Sequence, residues 1–216
     1  MEWVMAVLKG LGYGLFLGLM SMGPTFFALI QMGMQGGKSA GLRMAFGIFL
    51  SDLLVALACF FGLAEFFITP EFQLGFSSFA AFGILFMGVR GVVVGYRKFL
   101  TNLHKPIDHK TNFFQGFFVN LLNPFVLILW VGILGAITVG YDSVTEDKYN
   151  ILVEMLSILL TVFSLDLGKV YLSDYIGKKL NFRIYYHVNK YIGYVLIAIG
   201  VYYMYHFFNL LLPALK

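Results

Sequence analysis

Two carboxylates lie inside long apolar stretches of this sequence, where ionisable side chains are uncommon. Asp52 lies in the run IFLSDL (48–53) and Asp166 in the run VFSLDL (162–167). Lys169 follows Asp166 by three residues, so these two side chains share a helical face and can pair. They form either a switchable ion pair or a neutralised packing pair. Asp52 has no basic residue at helical spacing, which makes it the stronger functional candidate; the alternative is a core carboxylate that is merely hydrogen-bonded.

Two prolines interrupt the same kind of apolar stretch. Gly23, Pro24 and Thr25 belong to the motif MGPT (22–25), and Asn123 and Pro124 to the motif LNPF (122–125). A proline inside a helix removes a donor and frees a carbonyl. In apolar surroundings the freed groups must bond to neighbours or line a polar cavity. One such proline could be a structural kink, but two at corresponding places favour a site.

Asn120 and Asn123 add amide groups close to the second proline, three residues apart. An amide both donates and accepts hydrogen bonds, which suits a zwitterionic ligand. It equally suits hydrogen bonding between helices, and the sequence does not separate these two interpretations.

The elements that must position these residues are membrane helices. The 216 residues are 60% apolar and only 12% charged, about half the charged share of a soluble domain. The net charge of +4 does not indicate nucleic acid, because the basic residues lie in short segments between apolar runs. The single cysteine, Cys59, excludes a disulfide framework within the chain.

Six apolar runs are long enough to cross a hydrocarbon core, which takes roughly 20 helical residues. We expect an all-α integral membrane protein whose spans cover about 9–35, 40–67, 72–96, 113–139, 150–176 and 188–211. Residues 1–216 then form a single transmembrane domain. Because the motifs of spans 1 and 2 recur in spans 4 and 5, we expect two repeats, about 1–100 and 111–216. Three spans per repeat makes the second repeat inverted, with helices 1 and 4 broken at proline.

The basic residues predict the orientation, since lysine and arginine concentrate on the cytoplasmic side. The first, third and fifth connectors hold Lys38, Arg43, Arg97, Lys98, Lys105, Lys110, Lys178, Lys179, Arg183 and Lys190. The fourth holds three acids and one lysine. We therefore expect a multi-pass protein of the cell inner membrane with both termini outside, and an N-terminal run that is retained rather than cleaved.

Counted from the cytoplasmic ends of these spans, Pro24, Asp52, Pro124 and Asp166 all lie about 10–12 residues deep. At 1.5 Å per residue this is roughly 15–18 Å, near the middle of the bilayer. Breaks and carboxylates from four spans thus converge on one level. The sequence predicts a site there.

The remaining sequence features bear on catalysis, metal binding and helix packing. No P-loop or hydrolase motif occurs, so we expect neither an enzyme nor a cofactor. His104 and His109 flank a single acid, which predicts no metal site. Gly10, Gly14 and Gly18 form a close-packing face that could meet another span or a second protomer, which allows a homodimer.

The run GFFVNLLNP (116–124), with the break at Gly23-Pro24 and the spacing from Gly47 to Asp52, resembles the lysine exporter (LysE/RhtB) superfamily over nearly the whole chain. The chain departs from the family's Pro-Gly-Pro pattern, since Met22 replaces the first proline. The resemblance implies secondary efflux of amino acids or related small metabolites, exchanged against protons.

We therefore expect a proton-coupled exporter in which Asp52 is the coupling carboxylate and the broken spans form the substrate site. Its expected partners are a small-molecule substrate, protons and membrane lipids, and no nucleic acid. The alternative is a lipid-handling or membrane-organising protein without a solute pathway.

Overall fold

The structure, a computed structural model, describes residues 2–20, 23–63, 66, 69–93, 109–138, 141, 147–179 and 182–214. The regular structure in these ranges is helical throughout. The helices are α1 (Glu2–Met20), α2 (Pro24–Ala58, continued by a π-helical segment Cys59–Leu63), α3 (Pro70–Val93), α4 (His109–Leu121), α5 (Pro124–Thr138), α6 (Lys148–Lys179) and α7 (Phe182–Ala214).

Both predicted proline breaks are present, and each proline starts a new helix. Gly23 is extended at the N-cap of α2, with Pro24 in the first turn. Pro124 begins α5, whose axis differs from that of α4 by 63°. A proline in the first turn loses no intrahelical hydrogen bond, because the N–H there has no partner in any case. The predicted first and fourth spans therefore each consist of two helices that meet at a break.

Helix α2 reverses direction at Gly37, where the sequence predicts a turn. Gly37 has φ +71° and ψ −175°, a region that only glycine adopts freely. A Cβ on Gly41 would lie 3.2 Å from Cα of Gly33, although eight residues of straight helix advance about 12 Å. The two parts of α2, 24–36 and 38–58, therefore fold back on each other.

Three helix pairs account for most of the packing: α1 on α6, α2 on α4, and α3 on α7; α2 also lies along α6. Glycines allow the close approach. A Cβ on Gly14 would overlap Thr161, one on Gly47 the carbonyl of Phe113, and one on Gly88 would lie 2.9 Å from the Gly193 carbonyl oxygen. The glycine face of α1 thus contacts α6 of the same chain. Of its two predicted partners, another span or a second protomer, the structure shows another span.

Among the described residues, two helical stretches pass the length and apolarity that a membrane crossing needs: Pro24–Leu63, which includes the reversal at Gly37, and Lys148–Lys179. The bent pair α4 and α5 makes a third if it counts as one span, while Trp3–Leu19 and Ala81–Val93 are shorter apolar helices. Two helices are longer than the spans predicted for them: α6 covers Lys148–Lys179 against about 150–176, and α7 covers Phe182–Ala214 against about 188–211. These helices continue into polar layers, where lysine and tyrosine are tolerated and hydropathy no longer marks the helix end.

Candidate functional site

A cavity of about 50 Å³ lies between the two helix breaks. Most of the predicted site residues line it: Gly23, Thr25, Asp52, Asn120, Asn123, Asp166 and Lys169. Pro24 and Pro124 start the helices that begin beside it. The breaks also lie against each other, since a Cβ on Gly23 would be 3.6 Å from Nδ2 of Asn123. The structure thus brings both breaks and both carboxylates to one place.

Asp52 accepts hydrogen bonds from two neutral donors on other helices. Its Oδ1 lies 2.8 Å from Nδ2 of Asn120 on α4 and 3.1 Å from Nε1 of Trp130 on α5. Within the described residues, Oδ2 of Asp52 accepts no hydrogen bond and Asp52 forms no ion pair. This carboxylate is therefore held in place by neutral groups, with acceptor capacity left for a cation or a proton.

Asn120 connects three segments around the cavity. Its Oδ1 accepts from the hydroxyl of Thr25 at 3.2 Å, and its Nδ2 also approaches Oγ of Ser51 at 3.3 Å and the carbonyl of Ile48 at 3.4 Å. With only 3% of its surface exposed, Asn120 uses its donors and acceptor within the protein. These contacts favour hydrogen bonding between helices over direct ligand binding.

Asp166 and Lys169 form the ion pair that their spacing predicts, with Nζ 2.8 Å from Oδ1. Both side chains are largely buried. Nζ of Lys169 also lies 5.6 Å from the ring centroid of Phe26, in the first turn of α2. The pair therefore lies against the first helix break and lines the same cavity as Asp52.

The two breaks give the cavity an electrostatic asymmetry. Helices α2 and α5 both begin at it, and the first N–H groups of a helix lack intrahelical partners and carry a partial positive charge. The cavity thus offers positive helix ends and the carboxylate of Asp52 at a short separation. This arrangement is complementary to a small molecule that carries both a negative and a positive group.

Residues 16–206 of the sequence match the family described as LysE type translocator. The matched range includes both breaks and every residue that lines the cavity. The chain belongs to the LysE-type translocator family. The predicted resemblance is confirmed. Members of this family are translocators.

One curated relative is the protein named "Putative amino acid efflux protein YcgF" of Bacillus subtilis (strain 168), 26% identical over 137 residues. The alignment covers 59% of this chain and 60% of that relative, which is less than two thirds of the relative's length. No solved structure matches the chain.

Trp130 was not among the predicted site residues, although its side chain lines the cavity. Its side chain is only 3% exposed and its indole N–H is the second donor to Asp52. A signal was available, because a tryptophan in an apolar helix needs an acceptor for its N–H when buried. Trp130 lies six residues after Pro124, less than two turns beyond the second break.

Two further buried carboxylates of α6 lie outside the cavity. Glu154 accepts from the hydroxyl of Tyr141 at 2.9 Å. Asp174 accepts the N–H of Lys38 at 3.1 Å and receives a bond from Nζ of Lys178 at 2.6 Å. Both fix ends of neighbouring segments, and Asp174 caps the second part of α2 just after its turn. The side chains of His104 and His109 lie outside the described residues.

Proposed function

We propose that this translocator exports neutral amino acids, or related small metabolites, in exchange for protons. The observation that carries the proposal is that Asp52 and the first residues of two helices, α2 and α5, line one cavity of a LysE-type chain. The name of the Bacillus subtilis relative, an amino acid efflux protein, supports the same cargo class.

Recognition of the substrate follows from the charges around the cavity. The ammonium group would bind Asp52, whose other partners are the neutral donors Asn120 and Trp130. The carboxylate would bind at the N-terminal ends of α2 and α5, where the helix dipole favours an anion. An amino acid carries these two groups on one carbon atom and so fits both ends.

A neutral side chain fits the rest of the cavity. Its described ionisable lining consists of Asp52, Asp166 and Lys169, and the last two neutralise each other. A basic substrate side chain would need a second uncommitted carboxylate, and an acidic one an uncommitted cation. The remaining lining is mostly aliphatic and aromatic, with Leu17, Leu29, Val126, Leu129, Ile133 and Ile158 among it. An apolar side chain is therefore favoured.

Proton coupling would arise at Asp52, because a proton and the substrate's ammonium group compete for the same carboxylate. When the site faces outside, a proton would displace the amino acid. When it faces inside, the substrate would displace the proton. Each cycle then moves one substrate outward for each proton inward. The ion pair Asp166–Lys169 is a second point of exchange, because the substrate's carboxylate could compete with Asp166 for Lys169.

The cavity has to widen during this cycle. A volume of about 50 Å³ accommodates a few water molecules, by the rule that one water needs roughly 10–15 Å³ of such space. Bound substrate therefore requires the helices around the breaks to move apart. Alternating access, in which one group of helices rocks against another, provides such a movement.

The architecture that we propose is one domain of six spans, with two inverted repeats at about 1–100 and 111–216. The packing supports it, because α1 contacts α6 in the same way that α4 contacts α2. Phe49 and Phe163, each three residues before its carboxylate, lie with ring centroids 4.7 Å apart. A contact between corresponding residues is expected near a two-fold axis that relates two repeats. We place the protein in the inner membrane with both termini outside; a homodimer stays a prediction.

Purified protein in proteoliposomes tests the cargo. We expect a proton gradient directed across the membrane to drive neutral apolar amino acids in the opposite direction, at about ten times the rate of lysine or glutamate. This ratio corresponds to about 1.4 kcal/mol between the transition states. Equal rates for all three classes would contradict the neutral substrate. No transport of any amino acid or related metabolite would favour the lipid-handling alternative.

A further inference from the structure

Two buried hydrogen-bond donors have no partner among the described residues. They are Nη1 of Arg43 and Nδ2 of Asn112, and both atoms are shielded from solvent. The side chain of Asn112 is only 6% exposed as a whole. Buried donors are nearly always paired, and a charged one without an acceptor is especially unfavourable. The transport site uses neither residue.

The two donors lie at the same level of one helix–helix interface. Helix α4 runs parallel to the second part of α2, since Gly116 packs on the carbonyl of Met44 and Asn120 bonds to that of Ile48. Both contacts join residues that are 72 positions apart in the sequence. One helical turn before Gly116, the same offset places Asn112 of α4 opposite Ala40 of α2. Arg43 follows Ala40 by three residues on the same side of α2, and its long side chain can reach this level.

A third donor group lies beside them. Asn112 belongs to the first turn of α4, which begins at His109, and backbone N–H groups of a first turn have no intrahelical acceptor. The helix dipole adds a partial positive charge at this end. A guanidinium group, an amide N–H and a helix N-terminus together make a set of donors, and Arg43 forms no ion pair with a described carboxylate.

We propose that Arg43, Asn112 and the first turn of α4 bind a phosphate group. Guanidinium and helix N-terminal N–H groups are the donors that proteins use for phosphate. Arg43 lies five residues after Lys38, at which the second part of α2 begins, or about 7–8 Å along the helix. Because the second span is predicted to begin at about residue 40, a lipid headgroup would meet the hydrocarbon core near this level. The phosphate would belong to an anionic lipid headgroup or to free phosphate.

The site is separate from the transport cavity, so its test does not depend on the substrate. Purified protein in detergent is titrated with phosphatidylglycerol, with phosphatidylcholine and with inorganic phosphate. Thermal unfolding and lipid-bound species in native mass spectrometry are measured. Variants Arg43→Gln and Asn112→Ala are compared with Arg90→Gln, which removes the same charge from an exposed position in the last turn of α3.

We expect phosphatidylglycerol or phosphate to raise the unfolding temperature of the wild type. We expect Arg43→Gln to weaken that binding about tenfold, as loss of a charge-assisted hydrogen bond would. Asn112→Ala should weaken it less and Arg90→Gln not at all.

Stabilisation by phosphatidylglycerol alone assigns the site to a lipid, and stabilisation by inorganic phosphate as well assigns it to the phosphate group itself. If no phosphate-bearing ligand stabilises the wild type, or if Arg43→Gln and Arg90→Gln bind equally, the proposal is overturned. The wild-type titration decides the matter even if a variant fails to fold.

Discussion

At the scale of single residues, the two cavity carboxylates differ in what neutralises them. Asp166 is bonded to a lysine one helical turn away, whereas Asp52 is bonded to neutral groups from two other helices. A buried ion pair contributes little net stability, but removal of one partner leaves a charge buried without compensation. The difference suggests that Asp166 keeps the wall of the cavity intact while Asp52 exchanges its ligand.

Lys169→Met tests the ion pair. We expect it to lower the free energy of unfolding by about 3–5 kcal/mol, because Asp166 remains buried and unpaired. The double variant Asp166→Asn, Lys169→Met should recover most of that loss. Unfolding in mixed detergent micelles measures both. Lys178→Met is the control, since the Lys178 side chain is 71% exposed and its pair with Asp174 should contribute no more than about 1 kcal/mol. Equal losses for Lys169→Met and the double variant would contradict the expectation.

The sequence predicts the residues of this site better than their contacts. The ion pair could be predicted because its members are three residues apart on one helix. The partners of Asp52 could not, because Asn120 and Trp130 are 68 and 78 residues away along the chain. Their approach depends on how α4 and α5 pack on α2, which no local pattern specifies. The buried donors of Arg43 and Asn112 depend on the same packing.

At the scale of elements, glycines set the distances between helices and prolines set where helices start. Both breaks and the turn at Gly37 were predictable, since proline and glycine restrict or release the local backbone. The ends of α6 and α7 were not predictable from hydropathy, which reports the hydrocarbon core rather than the helix. The two halves of the predicted fourth span also differ in direction, since the axes of α4 and α5 meet at 63°.

Gly116→Ala tests the contact between α2 and α4. A Cβ there would overlap the carbonyl oxygen of Met44, so the helices must separate. We expect a loss of about 1–3 kcal/mol, the usual cost of overpacking. The control Gly132→Ala lies on α5 with nothing within 4 Å of its new Cβ and should change stability by less than about 1 kcal/mol. Thermal unfolding of both variants in detergent is the measurement. A milder effect at Gly116 than at Gly132 would argue against the close contact.

At the scale of the whole molecule, the distribution of basic residues and the packing of helix pairs both support the proposed arrangement of six spans in two inverted repeats. Basic residues flank one end of α6, with Lys178 and Lys179 in its last turn, and Asp147 precedes the other. If the positive end is cytoplasmic, α6 crosses from outside to inside. The orientation of the remaining spans then follows from the order of the helices.

Cysteine labelling tests this orientation. Cys59, the chain's single cysteine, is buried and is replaced by alanine to give a background without thiols. Asp147→Cys and Lys178→Cys then place one thiol at each end of α6. We expect a membrane-impermeant maleimide to label position 147 in intact cells and position 178 only after permeabilisation. The two variants control for each other, and the reverse pattern would show that the orientation is inverted.

The central claim is that Asp52 exchanges a proton for the amino group of the substrate. The most direct test is transport by Asp52→Asn in proteoliposomes with and without a pH gradient. The amide keeps an oxygen that can accept from Asn120 and Trp130, so the fold should remain intact, as unfolding in detergent can verify. The matched control, Asp147→Asn, makes the same chemical change outside the cavity.

We expect Asp52→Asn to abolish amino-acid movement driven by a pH gradient, while Asp147→Asn retains the wild-type rate. Undiminished gradient-driven transport by a folded Asp52→Asn protein would contradict the account.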